Sequence, residues 1–126
     1  MIRYTARQKA RQDTELVWAF NTYNDRFFAG EISEATTVEF AKNVFRPKDK
    51  EPGDAHYIPR KMKIQIDELY RGRSRQWKVI LLHEMAHAWL YQVKEYIGWP
   101  GHGGHGRTFQ GVICRLLQIG AYDDLL

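Results

Sequence analysis

The stretch His83-Glu84-Met85-Ala86-His87 holds two imidazoles and a carboxylate within five residues. On a helix, residues four apart share one face, one turn above the other, so His83 and His87 can bring two nitrogens to one metal ion. Glu84 lies about 100° round the helix from His83 and about 60° from His87, by the 3.6-residue turn. Its carboxylate then falls beside such an ion, where it can hold a water and take its proton. Two histidines for zinc and a glutamate for the proton form the working set of a metallopeptidase. The rival is a buried helix whose histidines are satisfied by hydrogen bonds alone. It would bury two imidazoles and a carboxylate together without a metal, which is costly.

A catalytic zinc site usually takes three protein ligands and keeps one position open for water. The next candidates are His102 and His105, in the glycine-rich stretch from Gly98 to Gly106. Glycine lets the backbone turn sharply and bring a side chain close to a metal. His105 is the better placed, because it stands at the mouth of the last helix. His102 is open as a ligand, a proton donor or a loop histidine, and a carboxylate from elsewhere is open as well. Tyr57, Tyr91, His102 and Arg107 are candidates for a second donor to the developing oxyanion. His56 is either structural or a lining residue of the cleft. Cys114, within an apolar helix, reads as a buried, inert thiol.

The elements that must carry these groups follow from periodicity. Residues 5 to about 28 form one helix, with Leu16, Ala19, Phe20, Tyr23 and Phe27 at helical spacing. Thr14 or Asp13 is the expected start of its better-packed part, and Gly30 its stop. Thr36 to Ala41 alternates and is β-prone, a strand. Residues 46 to 53 are a turn-rich exposed loop. Asp54 to Ile58 is a second strand, closed by Pro59. Lys61 to Asp67 is a third, with Met62, Ile64 and Ile66 toward the core. The metal helix then starts with Ser74 as N-cap and runs to Lys94 or Tyr96. Trp77, Leu81, Met85, Ala88 and Trp89 make its apolar stripe, which Ile80 and Leu82 widen, so this helix is central and buried. A last helix opens at Arg107 or Thr108 and buries Phe109, Val112, Ile113, Leu116 and Leu117.

At 126 residues, with 44% hydrophobic and 13% aromatic content, the chain is expected to be a single folded domain over residues 1–126. No run of about 18 apolar residues is present to span a membrane, and no apolar segment follows the basic N-terminus as in a signal peptide. One cysteine excludes an internal disulfide and a Cys-based zinc ribbon. A reducing, cytoplasmic setting is the expectation. The net charge of +4 is uneven. Arg60, Lys61, Lys63, Arg71, Arg73 and Arg75 crowd one stretch with Tyr70 and Trp77 among them. Such a stretch either contacts nucleic acid, through phosphates and base stacking, or is a solvated surface over buried aromatics.

Together these residues resemble the SprT-like metalloprotease domain, the SprT/Spartan family. Leu81 to Leu90 is similar to the family's metal helix, with its apolar pair before the motif and Ala-aromatic pair after it. Gly104-His105-Gly106 with Phe109 resembles the family's H-G-x-x-F, whose histidine is the third zinc ligand. Lys63 to Asp67 resembles the strand before the metal helix, and Asn21 to Gly30, more loosely, the opening helix and turn. Arg107 and Thr108 stand where the family usually has Pro and an acidic residue, which bears on the helix start and not on the ligand.

The resemblance implies an α+β, zincin-like domain without a zinc ribbon: an N-terminal helix, a small three-stranded sheet, a buried H-E-x-x-H helix and a C-terminal helix. It implies one catalytic Zn2+ on His83, His87 and His105, and a peptidase in which Glu84 takes the proton of the attacking water and hands it to the leaving amine. Substrates would be proteins or peptides, DNA-associated ones among them, entering as an added strand at the sheet edge. The alternative is a DNA-binding module with a structural zinc centre, closed by a fourth ligand such as His102, and little protease activity. The corresponding location is intracellular, near DNA.

Overall fold

The computed structural model describes residues 3–42, 44–46, 51–52, 54–95 and 106–126. Among them the first helix, α1, is Ala6–Phe27. It starts about two turns before Thr14, because Thr5 and Gln8 form a capping box. The Thr5 hydroxyl accepts from the Gln8 amide at 3.1 Å, and the Gln8 side chain accepts from the Thr5 amide at 2.8 Å. Its apolar face, Leu16, Ala19 and Phe20, is buried as its spacing predicts. At the other end the chain turns through Ala29 and Gly30, both left-handed. The buried Asn24 fixes this turn by donating to the Ile32 carbonyl at 2.9 Å and accepting from the Ile32 amide at 3.1 Å.

Among the described residues five short strands follow: β1, Thr37–Ala41; β2, Phe45–Arg46; β3, Glu51–Pro52; β4, Ala55–Ile58; and β5, Lys63–Asp67. The expected loop at 46–53 thus contains part of a small antiparallel ladder, β2 with β3. Strands of two residues are too short for alternation to be seen in sequence. The main sheet has three strands in the order β1-β5-β4, with β1 parallel and β4 antiparallel to β5. Lys61 does not belong to β5 as expected. Pro59–Lys61 is a 3-10 turn, and Met62 closes it in the left-handed conformation with φ 49°.

The sheet has two unlike faces. Phe40, Ile64, Ile66 and Ala55 are buried against the helices, in one cluster with Leu16 and Phe20 of α1 and with Trp77, Leu81 and Met85 beyond. The opposite face carries Glu39, Lys63, Gln65 and His56, tied by a Lys63–Glu39 ion pair at 2.8 Å and a His56–Gln65 hydrogen bond at 2.6 Å. His56 therefore looks away from the helices, which decides between its two readings in favour of the structural one.

After β5 a 3-10 turn, Glu68–Tyr70, leads through Arg71 and Gly72 to α2, Ser74–Lys94. Gly72 has φ +85°, and a Cβ there would stand 2.0 Å from the Tyr4 hydroxyl, which donates to the Arg71 carbonyl at 3.0 Å. Only glycine fits this crossing. Ser74 is the first helical residue and not the cap; Arg73 occupies the cap position and makes no side-chain cap hydrogen bond. The last helix, α3, is Arg107–Gln118, with Gly106 before it. Phe109 and Leu116 are buried, whereas Leu117 is half exposed. Cys114 is exposed, contrary to the expected buried thiol. It stands five residues from Phe109 and two from Leu116, which turns it about 140° and 160° away from them.

Candidate metal centre

The helix α2 packs against β4, β5 and α3, which is why nearly its whole circumference is apolar. Leu81, Leu82, Met85, Ala86 and Ala88 are fully buried, and so is most of Glu84, at 7% exposure. His83 and His87 are half-buried on the remaining face. Their ring centres lie 5.0 Å apart with planes at 70°. Two imidazoles on one tetrahedral zinc, with Zn–N near 2.1 Å, have ring centres about 5 Å apart. The pair thus fits a shared metal ion, and the nitrogen donors suit zinc.

Phe109 of α3 closes the pair from one side. Its ring stacks on His87 at 4.3 Å and 18°, and meets His83 at 4.9 Å and 62°. Periodicity marked Phe109 only as a core residue; its ring contacts with both histidines could not be read from spacing. His102 and His105 lie outside the described residues. Among the described residues no group of three His, Cys, Asp or Glu is arranged to hold a metal.

Of the other candidates, Tyr57 and Tyr91 meet edge-on with ring centres 6.2 Å apart, and Arg107 is on α3. Tyr57 is on β4, where its hydroxyl accepts from Gln92 Nε2 at 3.0 Å. Gln92 sits about 140° round α2 from His87, so this hydroxyl is drawn to the sheet side of the helix. Tyr91 follows His87 by one turn and is 39% exposed. Arg107 is the exposed first residue of α3. Gln92 had no signal in the sequence. It also donates to Thr36 Oγ1 at 2.9 Å and accepts from the Ser33 amide at 2.8 Å, joining α2 to the α1–β1 connection.

The six basic candidates do not form one patch. Arg60 and Lys61 are exposed before β5, and Arg73 and Arg75 are exposed after it, separated by a strand about 17 Å long. Lys63 is paired with Glu39. Arg71 is only 6% exposed. Its guanidinium lies 4.6 Å over the Phe40 ring and donates to Asp13 Oδ1 at 2.9 Å and to the Lys9 carbonyl at 3.2 Å. Burial beneath α1 takes Arg71 out of any contact surface.

An H-E-x-x-H helix beneath a small mixed sheet, with a third helix closing the histidine face, is the arrangement of a metalloprotease-type domain. The chain belongs to the SprT-like family, whose model matches residues 17–121. A comparison with curated proteins and one with solved structures each found no match. No helix among the described residues is long and apolar enough to cross a membrane.

Proposed function

We propose that the protein is a zinc-dependent metalloendopeptidase of the SprT-like type, acting on proteins or peptides, DNA-associated proteins among them. The observation that carries this reading is the 5.0 Å pairing of His83 with His87, with Glu84 buried beside them. His105 is the proposed third nitrogen. It is supported by its neighbour Gly106, which opens the helix whose third residue, Phe109, rests on both imidazoles.

A bound zinc ion would supply a Lewis acid for the peptide carbonyl and acidify water near neutral pH. Glu84 accepts the proton of the attacking water and returns it to the leaving amine. Its burial keeps this carboxylate in a setting where competing water is scarce. An extended substrate has a place to add. The Asp67 amide donates to the Asp54 carbonyl at 2.9 Å, so by the alternation of an antiparallel pair Ala55 and Tyr57 turn their amides and carbonyls to the outer edge of β4.

The test is cleavage of an unfolded protein at stoichiometric zinc. Glu84→Gln should retain the zinc and lose about 10²–10⁴-fold in kcat. A wild type that cleaves nothing, or a variant that cleaves equally well, ends the proposal.

Nucleic-acid binding is the second reading, supported by one arrangement. Arg11 of α1 shares the walls of a ≈ 300 Å³ cleft with Gly72 and Ser74 at the start of α2. The exposed Arg7 and Arg11 of α1 are thereby brought toward the exposed Arg73 and Arg75. Each phosphate contact should contribute about one unit to the slope of log K against log salt, so each Arg→Ala change at 11, 73 and 75 should lower that slope by about one. A slope near zero in the wild type would dismiss the reading.

A further inference from the structure

On α2, Tyr91 follows His87 by four residues, so it stands one turn farther along the face that carries the imidazoles. By angle it falls between His87 and Glu84. Among the large hydrophobic side chains of α2 it alone is exposed, at 39%. Tyr57 of β4 braces it edge-on, with ring centres 6.2 Å apart and planes at 62°. Tyr57 is itself held by the hydrogen bond from Gln92, whose amide is fixed in turn by Thr36 and Ser33. The two rings form a preorganised aromatic wall on the β4 side of the metal face.

The wall also borders the outer edge of β4, which pairs with no strand among the described residues. A strand added there alternates its side chains between the two faces of the sheet. The residue opposite Tyr57 points to the same face as Tyr57, which is the helix side shared with Ile64 and Ile66. Its Cβ then comes about 5 Å from that of Tyr57, the distance of a cross-strand pair, and its outer atoms reach toward Tyr91. Aromatic and large aliphatic side chains gain from such a contact. A carboxylate gains nothing from an aromatic surface and loses hydration.

We propose that Tyr57 and Tyr91 select the substrate: the residue seated opposite Tyr57 is aromatic or large aliphatic, and acidic residues are refused. The proposal rests on the peptidase reading and on entry along β4.

The test maps cleavage sites in a randomised peptide library, using wild type, Tyr91→Ala and Tyr91→Phe with zinc. Thermal melts establish that each variant is folded. Wild type should enrich Phe, Tyr, Leu or Ile at one fixed position from the cut and deplete Asp and Glu there. On a peptide pair differing only there, Phe against Ala, the kcat/KM ratio should fall about tenfold or more in Tyr91→Ala and persist in Tyr91→Phe. Cleavage with no fixed preference, a preference for Lys or Arg, or a ratio unmoved by Tyr91→Ala overturns this proposal and leaves the peptidase standing. If the wild type cleaves nothing, the peptidase reading falls, and the same peptide pair is titrated onto the protein by calorimetry. Binding of the Phe peptide that weakens in Tyr91→Ala then supports the wall as a peptide site, and equal binding of both peptides overturns it.

Discussion

Phe109 lies nearly flat on His87, with ring centres 4.3 Å apart and planes 18° apart. The same ring, 1% exposed, is part of the core. One side chain thus belongs both to the packing and to the histidine face. Phe109→Ala should cost about 3–5 kcal/mol of stability through the cavity it leaves. Phe109→Leu should cost less than about 1.5 kcal/mol, yet lower zinc affinity about 10–100-fold, because the imidazoles lose the plane that orients them. Competition with a chromophoric chelator reads the affinity; an unchanged value for Phe109→Leu would separate the core role from the metal role.

One zinc per chain is expected, and chelation should lower the melting temperature. At free zinc of 100 times Kd the stabilisation is about 2.7 kcal/mol. His105→Ala should weaken zinc by more than the 10–100-fold typical of losing an outer-sphere partner, whereas His102→Ala should not. Equal effects of the two changes would contradict the assignment of His105.

Arg71 anchors the turn into the metal helix through Asp13, the Lys9 carbonyl and Glu68, at 3.4 Å, and through the Phe40 ring. Arg71→Ala should destabilise by about 3 kcal/mol, because it empties the space the guanidinium fills over Phe40 and leaves the Lys9 carbonyl without its donor. Asp13→Ala should cost less, because Glu68 and the Lys9 carbonyl still face the buried guanidinium. Urea denaturation of the two variants measures this; similar losses would mean that the ion pair, and not the packing of the guanidinium, carries the anchor.

Tyr70 donates to Asp54 Oδ1 at 2.5 Å. This bond foremost, then burial and the charge of Asp54, pushes the phenol from 10.0 up to about 12. A phenol that ionises later when folded contributes stability that is complete below the unfolded value of 10.0 and fades as pH climbs toward about 12. The urea midpoint of wild type should exceed that of Tyr70→Phe at about pH 9, and the gap should narrow by about pH 11.5. A gap constant across that window would show that the bond does not couple to ionisation.

The parts of the molecule written in single periodicities were readable in advance. The spacing of His83 and His87, the apolar face of α1 and the alternation of Ile64 and Ile66 each need only a neighbour three or four, or two, residues away. What escaped depends on contacts between distant segments. Arg71 sits in a basic run and is chemically no different from Arg73; only the arrival of Asp13 and Phe40 buries it. The parallel pairing of β1 with β5 is hidden because β4 lies between them in sequence. The left-handed Met62 cuts β5 short where alternation alone would have continued it. Cys114 is exposed where its apolar neighbours predict burial, because an apolar sequence neighbour does not say which side of a helix is wet.

Gln92 works as a spacer of fixed length. Its one amide meets Ser33, Thr36 and Tyr57, so the edge strand and the helix below it cannot drift apart independently. The packing distance between them is therefore held by a neutral amide, which has no charge to gain or lose as the pH changes.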